Sequence, residues 1–444
     1  MKLWEKGFSV DAAVEKFTVG KDRELDLLLA PFDIIGTIAH VMMLESIGII
    51  TKEELPQILE NLRELYKLSQ TSDFAIEENI EDIHSYVEFM LIQKLGDMGK
   101  KVHSGRSRND QVLVDMRLFT RNRLQTLVEK LDMLIDVLLL KSERHKGDLM
   151  PGYTHLQIAM PSSFGLWFGA YAEAFADDLL QIFAAWKINN QNPLGSAAGY
   201  GTSFPINRTL TTRLLGFDNM NYNVIYAQMG RGKTERIVSF SLANIAATLS
   251  KMAYDVCLFM SQNFNFVSLP NEFTTGSSIM PHKKNPDVFE LIRGHCNRIQ
   301  AIPQQITLIS NNLPVGYFRD MQVLKEAYLP MFEELEACID IATFAIENMR
   351  VNQDILNDEK YDHLFSVELV NKLTLEGMPF RDAYREVGRQ IAEGEYKPER
   401  KIQHTHEGSI GNLCLDEIKI KKDKILNGFN FSAVKYAVSK LVNP

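Results

Sequence analysis

The feature that most constrains the fold is an apolar repeat between residues 238 and 259. Apolar side chains recur there at intervals of three or four residues, at Val238, Leu242, Ile245, Leu249, Met252, Val256 and Phe259. This spacing places all of them on one face of an α-helix. Alanine and serine occupy many positions between them, and such small side chains allow other helices to approach closely. The repeat therefore predicts a long helix packed within a bundle.

Two further stretches have the same periodicity. Starting at Leu124, apolar residues follow at Leu127, Val128, Leu131, Leu134, Ile135 and Leu138, and a segment from about residue 162 to 187 carries Phe164, Phe168, Tyr171, Phe175 and Leu179. No alternating strand pattern accompanies them. We predict an elongated, all-α architecture with a central bundle of long helices. Such helices often present more apolar surface than one chain covers, so we also expect self-association through the bundle.

The chain of 444 residues exceeds what one hydrophobic core usually organises, and its length predicts about three domains or one elongated bundle with caps. Residues 1–105 combine short helical patterns with breaks, including the stretch 25–49, and form a mostly helical N-terminal domain. Residues 106–353 form the central bundle domain. From residue 354 the pattern shortens again, which predicts a small helical C-terminal domain over 354–444.

Composition excludes several classes of function. A net charge of −9 argues against nucleic acid as a partner, because polyanion binding requires basic excess. Four widely spaced cysteines fit a reduced, cytoplasmic protein. The N-terminus has no signal-peptide pattern and no stretch of about 18 uncharged apolar residues, so we expect neither secretion nor a membrane span.

Two motifs suggestive of a cofactor fail on inspection. Gly232, Lys233 and Thr234 end like a phosphate-binding loop, but the glycine required five residues earlier is Ala227. The glycine-rich segment 195–201 lacks the preceding strand of a dinucleotide-binding loop, and we interpret it as a tight turn. No set of His, Asp, Glu and Cys has metal-ligand spacing, so we expect neither a metal nor another cofactor.

The stretch 276–294, GSSIMPHKKNPDVFELIRG, has the composition of a mobile loop that binds anions. Gly276 provides backbone freedom, and Pro281 and Pro286 prevent an uninterrupted helix before Val288. A loop with serine hydroxyls, adjacent lysines and an asparagine can close over a carboxylated substrate. The alternative is a solvated surface loop that precedes a helix.

This stretch resembles the G-S-S-x-M-P-x-K-x-N signature of the fumarase/aspartase superfamily. Two other runs, HSGRSRNDQV at 103–112 and PGYTHLQ at 151–157, resemble motifs of the argininosuccinate lyase family. The resemblance covers most of the chain and thins after about residue 352. It implies a homotetramer with a central helical bundle, active sites assembled from three subunits, and elimination that releases fumarate without a cofactor.

The resemblance also assigns catalytic roles. Breaking a C–N bond β to a carboxylate requires a base for a carbon-bound proton, stabilisation of the resulting aci-carboxylate, and a proton for the departing nitrogen. Ser277 is the implied base, with Lys283 as the cation that activates it and Asn285 as an amide donor. His155, paired with Glu290, is the implied relay of a proton to or from the departing nitrogen or a water.

The implied substrate-binding residues lie in three segments. They are Arg108 and Asn109 in the first motif, Thr154 beside the histidine, and Tyr317, Gln322 and Lys325 further along the chain. Arginine can grip a carboxylate through two parallel hydrogen bonds. Arg106 is expected to be structural. The alternatives are a salt-bridged helix start in which Asp110 is the partner, and a helix-surface cation at Lys325.

Several positions differ from the family pattern. Residues 158–160 read Ile-Ala-Met where the family has Arg-Ala-Gln, residues 229–232 keep only Arg231, and Val19 and Gly20 replace paired serines. The elimination machinery is retained, whereas the pocket for the departing group is altered. We expect cleavage of argininosuccinate to arginine and fumarate. The alternatives are a related lyase for another N-substituted aspartate, or a non-catalytic structural protein such as the crystallins related to this family.

Overall fold

The computed structural model describes residues 11–77, 80–276 and 278–443. The helices of this part of the chain are α1 (Ala12–Val19), α2 (Asp22–Ser46), α3 (Glu54–Leu68), α4 (Ile83–Leu95), α5 (Asp97–Lys101), α6 (Arg108–Arg144), α7 (Phe164–Asn189), α8 (Arg208–Leu214), α9 (Val224–Met229), α10 (Lys233–Phe259), α11 (Asp287–Ile299), α12 (Ile302–Ser310), α13 (Asp320–Tyr328), α14 (Pro330–Asn348), α15 (Ser366–Leu375), α16 (Phe380–Glu393), α17 (Leu415–Leu426) and α18 (Phe431–Val442). Short 3-10 helices span Asn271–Phe273, Ile355–Asn357 and Glu359–Phe365.

The strands pair only in twos. They are β1 (Leu149–Thr154), β2 (Gln157–Ser163), β3 (Gln191–Asn192), β4 (Asn219–Met220), β5 (Val267–Ser268), β6 (Thr275–Gly276), β7 (Lys284–Asn285) and β8 (Arg350–Val351). β1 pairs with β2, β5 with β8 and β6 with β7 in antiparallel fashion, and β3 pairs with β4 in parallel. The prediction of an all-α fold is therefore confirmed.

The three long helices predicted from periodicity are α6, α7 and α10, with 37, 26 and 27 residues. All seven apolar residues of the repeat in α10 are buried. Helix α7 packs against both α6 and α10, and α11 and α14 extend the bundle. Aromatic side chains fill the centre of the bundle. Those on α7 that are fully buried are Phe164, Phe168, Phe175 and Trp186. The apolar periodicity thus faces the largest core of the protein.

Helix α2 differs from the expectation of short, interrupted helices. It runs for 25 residues and continues through Pro31, because much of its length is buried in a second core formed mainly by α2, α3 and α4. Among the described helices it alone is long and apolar enough to cross a membrane by length and composition. However, 72% of its most apolar window is buried inside the protein.

The C-terminal part of the chain packs in two places. Helices α15 and α16 surround a small separate core of Val370, Ala383 and Val387. Helix α17 returns to pack on α6 and α7, and α18 packs on α2 and α8. The domain boundaries at residues 105 and 353 stay a prediction.

Core burial on α6 predicts a stability effect. Leu131 is fully buried between the bundle helices, so replacing it with alanine removes apolar contacts and leaves a cavity. We expect Leu131→Ala to lower the free energy of unfolding by about 3 kcal/mol, measured by urea denaturation. Leu375→Ala, at a side chain that is 89% exposed, is the control and is expected to change it by less than about 0.5 kcal/mol. Equal effects of the two substitutions would contradict the packing of the bundle.

Candidate active site

A polar cavity of about 170 Å³ lies where the first turns of α2, α4 and α6 meet α13. Five of the six predicted substrate-binding residues line it, although they lie far apart in the sequence: Arg108, Asn109, Tyr317, Gln322 and Lys325. The sixth, Thr154, lies elsewhere. The fold therefore brings together residues that were selected from separate motifs.

The cavity contains charges of both signs. Besides Arg108 and Lys325, its cations include Arg231 and Arg319, and its carboxylates are Asp22, Asp26, Glu81 and Asp82. None of these carboxylates belongs to the motifs that predicted the site. A signal was available for two of them, since Asp22 and Asp26 are four residues apart and so share a face of α2. Only the fold places that face against α13.

Lys325 is buried, with 3% of its surface exposed, and is not a helix-surface cation. Its Nζ lies 2.6 Å from Asp22 Oδ1 and 2.8 Å from Asp26 Oδ1. Burial alone would lower the pKa of Lys325, but the two carboxylates raise it. Burial and the neighbouring charge of Asp26 raise the pKa of Asp22 to about 6, against the attraction of Lys325. The ammonium of Lys325 is thus paired with two carboxylates at once.

Arg108 forms its ion pairs with carboxylates other than Asp110, which was the partner expected for a salt-bridged helix start. Its Nη1 donates to Asp82 Oδ2 at 3.0 Å and lies 3.6 Å from Glu81 Oε2. Arg319 Nη2 binds the other oxygen of Glu81 at 2.6 Å. Although burial opposes it, the charges of His84 and Arg108 lower the pKa of Asp82. Both arginines are therefore held at the cavity by carboxylates.

Asp110 shapes the start of α6. Its Oδ1 accepts a hydrogen bond from Ser107 N, while the Ser107 hydroxyl accepts one from Asn109 N, which forms a capping box. Its Oδ2 accepts from the backbone nitrogens of Gly195 and Ala197, each at 3.0 Å. The glycine-rich segment is therefore the tight turn that the sequence predicted, and it docks against α6.

Arg106 fits the structural role expected for it. Its Nη1 donates to Thr37 Oγ1 of α2 at 2.9 Å. This contact joins the segment before α6 to the second core, away from the residues that line the polar cavity.

A buried group that sequence spacing did not reveal adjoins the cavity. His84 Nδ1 lies 2.7 Å from Asp33 Oδ1 and 3.6 Å from Asp115 Oδ2, and the three residues could hold a metal ion. Burial alone would lower the pKa of His84, but the charges of Asp33 and Asp115 raise it to about 9. Burial and the neighbouring Asp33 in turn raise the pKa of Asp115 well above its usual value, so the positive charge of the imidazolium chiefly faces Asp33.

His155 lies at the tip of the β1–β2 hairpin. His155 and Leu156 form the two-residue turn and have φ of 55° and 58°. A turn of type I′ requires positive φ at both positions, where asparagine and glycine are usual. Larger side chains there cost on the order of 1–3 kcal/mol each, and such strain tends to occur at functional sites. Thr154 and His155 are both exposed at this tip.

The signature loop is closed at its base by the short β6–β7 pair. Asp287, the first residue of α11, accepts hydrogen bonds from Thr275 N and Oγ1, which hold the loop to the helix. Thr275 also receives a hydrogen bond from Asn285 Nδ2 at 3.5 Å. Lys283 in the loop and Glu290 in α11 are exposed. Ser277 lies outside the described residues.

The predicted residues thus lie in three places: the polar cavity, the hairpin tip and the signature loop. Among the described residues, neither Thr154 and His155 nor the loop residues line the cavity. Within one chain, His155 and Glu290 form no hydrogen bond or ion pair with each other among those residues. The pairing inferred for them stays a prediction.

Two of the departures from the family pattern lie near these places. Gln322 Nε2 donates to the carbonyls of Thr18 and Val19 at 2.8 and 3.1 Å, so the amide is bound to the segment in which Val19 and Gly20 replace serines. Ile158 and Met160 are exposed on β2, close to the hairpin tip. Arg231, which is retained, lies with Cζ 5.6 Å from the centre of the Tyr317 ring.

Comparison with known proteins gives the same class as the fold and the cavity. A family profile described as Lyase matches residues 7–301. Argininosuccinate lyases of Bacteroides fragilis and Parabacteroides distasonis are 59% and 60% identical to this chain, and each alignment covers at least 99% of both sequences. That of Thermotoga neapolitana is 38% identical over 87% of this chain and 97% of the relative.

Solved structures share the fold. An EDDS lyase variant with bound fumarate has a TM-score of 0.79 and 22% identity, covering 98% of this chain and 95% of its own. A class II fumarase from Schistosoma mansoni has a TM-score of 0.71 and 17% identity, covering 96% and 94%.

The fold and the family match define a lyase of the helical fumarase/aspartase superfamily. Within this class, the chain belongs to the argininosuccinate lyase family and is a carbon–nitrogen lyase.

The ion cluster around Lys325 predicts a loss of stability on substitution. In Lys325→Met, the buried carboxylate of Asp26 and the half-buried one of Asp22 lose their cation, so we expect the free energy of unfolding to fall by about 3 kcal/mol in urea denaturation. Adding Asp26→Asn should recover part of this loss. Lys21→Met removes a cation that is 65% exposed and paired with Glu326, and should have little effect. Wild-type stability of Lys325→Met would show that the ammonium is not committed to this cluster.

Proposed function

We propose that the protein cleaves argininosuccinate to arginine and fumarate by β-elimination, using its own side chains. The observation that carries this proposal is the cavity in which Arg108, Asn109, Tyr317, Gln322 and Lys325 meet. Membership of the argininosuccinate lyase family supports the choice of substrate.

The charges of the cavity suit a substrate of this kind. Argininosuccinate has carboxylates and also a cationic amino group and guanidinium. Arg108 can take a carboxylate through a bidentate contact, and Asn109 can donate to it. Asp22 and Asp82 offer charge-complementary surface for the cationic half. Because these groups are already held in place by ion pairs, little side-chain entropy is lost on binding.

The chemistry requires groups that lie outside this cavity. In the proposed mechanism Ser277 removes the proton from the carbon next to the carboxylate, and Lys283 stabilises the serine alkoxide and the aci-carboxylate. Asn285 donates to the same developing charge. The His155–Glu290 pair transfers a proton to the departing nitrogen, after which that nitrogen leaves with the C–N bonding electrons and fumarate forms.

A shared active site accounts for the separation of these groups. We propose that the hairpin tip and the signature loop reach the cavity of a neighbouring protomer in a homotetramer. Exposed apolar side chains on the bundle helices support association: Leu180 on α7, Phe240 and Tyr254 on α10, and Phe344 on α14 are each more than half exposed. We also propose that the protein acts in the cytoplasm, in line with its membership of a family of metabolic lyases.

The second candidate is elimination from another N-substituted aspartate. It is favoured by the replacement of the paired serines with Val19 and Gly20, and by the exposed Ile158 and Met160 near the hairpin tip. A panel of argininosuccinate, adenylosuccinate and aspartate separates the two candidates, because only the leaving group differs. A purely structural role is disfavoured because the candidate catalytic residues are retained.

Substitution of the candidate base tests the mechanism. Ser277→Ala removes the proposed base, so we expect kcat to fall by at least about a hundredfold, measured by the absorbance of fumarate formed from argininosuccinate. Ser278→Ala changes the adjacent, exposed hydroxyl and serves as the matched control with near wild-type turnover. Turnover that persists in Ser277→Ala would remove this serine from the base role. A wild-type protein that forms no fumarate would defeat the proposed reaction itself.

Mixing two inactive variants tests the shared site. Arg108→Gln and Ser277→Ala subunits are refolded together after denaturation. If each site takes these residues from different protomers, roughly a quarter of the sites in randomly mixed tetramers contain neither substitution. We therefore expect activity to return to about that fraction of the wild-type value. If a site took both residues from the same protomer, every site would contain one substitution and no activity would return. That outcome would contradict the division of the site between protomers.

A further inference from the structure

A second cavity, of about 430 Å³, lies between α2, α6 and the C-terminal helix α18. One wall is apolar and consists of Phe32, Ile35, Leu118, Val434 and Val438. Pro31, polar groups of α6 and α18, and Tyr66 and Gln70 at the end of α3 form the rest of the lining. A volume of several hundred Å³ in which an apolar wall faces a set of polar groups is within the range of small-molecule sites.

Arg121 of α6 lines this cavity and is almost completely buried, with 2% of its surface exposed. Its two terminal nitrogens bind neutral oxygens, Asn190 Oδ1 at 3.2 Å and Leu215 O at 2.8 Å. Its Cζ lies 4.7 Å from the centre of the Phe217 ring. Among the described residues, no carboxylate lies within ion-pair distance of the guanidinium, whose hydrogen bonds go to these neutral oxygens.

The pKa of Arg121 reflects the absence of a neighbouring anion. Burial lowers the pKa of its guanidinium to about 9, and the more distant Asp218 offsets only part of that effect. A buried charge without a counter-ion is costly, and an anion that enters the cavity would remove much of this cost. The other cation of the lining, Lys435, is already paired with Glu129 at 3.0 Å. Arg121 is therefore the cation available to a ligand.

The apolar wall and the buried Arg121 together indicate a class of ligand. We propose that this cavity binds a small organic monocarboxylate, with its carboxylate at Arg121 and its apolar body against Phe32, Leu118 and Val438. The apolar wall disfavours an inorganic anion, which would lose its hydration without gaining contacts there. Arg121 follows Arg108 by 13 positions on α6, which corresponds to about 20 Å along the helix. The two cavities therefore take their anions at different positions on one helix.

Binding of benzoate to the full-length protein tests the proposal, with affinity measured by ligand-observed NMR titration. Benzamide has the same shape without the charge, and we expect it to bind at least about tenfold more weakly. Arg121→Gln should weaken benzoate by a similar factor. Arg144→Gln makes the same change of charge at an exposed position of α6 and should leave the affinity unchanged.

A further pair of variants locates the bound benzoate. Ser439→Trp fills the cavity from α18 without altering Arg121 and should abolish binding, which keeps the test valid if Arg121→Gln fails to fold. Arg108→Gln should not change the affinity, because that residue lines the other cavity. Equal binding of benzoate and benzamide, unchanged benzoate binding by Ser439→Trp, or loss of binding in Arg108→Gln would each overturn the proposal.

Discussion

The buried carboxylate of Asp110 is the contact on which the candidate site depends. It is fully buried and accepts backbone hydrogen bonds from Ser107, Gly195 and Ala197. Burial dominates and raises its pKa to about 6, although these donors favour the charged form. Because the carboxylate sets the first turn of α6, it also sets the direction from which the adjacent Arg108 and Asn109 enter the cavity. From this first turn, the 37 residues of α6 extend into the bundle.

Ion pairs between lining residues hold the charged side chains of the cavity in place. Three of the cavity's cations are bound to carboxylates: Arg108 to Asp82, Arg319 to Glu81, and Lys325 to Asp22 and Asp26. The fourth, Arg231, donates to the carbonyl of Met321 instead. Ion pairs of this kind contribute little net stability when solvent can reach them, but they fix side chains in place. A charged ligand must replace part of this network, so specificity depends on how well it reproduces both signs of charge.

The groups proposed to perform the chemistry are in the opposite situation. His155, Lys283 and Glu290 are exposed in one chain, where water screens electrostatic interactions. Serine is a weak base in water, and the proposed role of Ser277 requires a desolvated, cation-rich environment. The strained hairpin tip at His155 and Leu156 is held in a conformation whose energetic cost the surrounding structure must offset. Enclosure by a neighbouring protomer would provide both the desolvation and a reason for the strain.

The sequence by itself determined the local structure and the identity of the motif residues. The helices α6, α7 and α10 were predictable because a three-and-four periodicity is a property of neighbouring positions. The cluster at Arg108, Asn109, Tyr317, Gln322 and Lys325 was selected through resemblance to a known family, and the fold brings these residues to one cavity.

The tertiary structure decided the partners. Burial of Lys325 between Asp22 and Asp26, the Asp33–His84–Asp115 cluster, and the contacts of Arg121 with Asn190 and Leu215 all join residues that are distant in sequence. The continuity of α2 through Pro31 likewise depends on the core around it. Spacing along a chain carries no information on which distant side chain will face a given residue, because that contact exists only after the helices have packed.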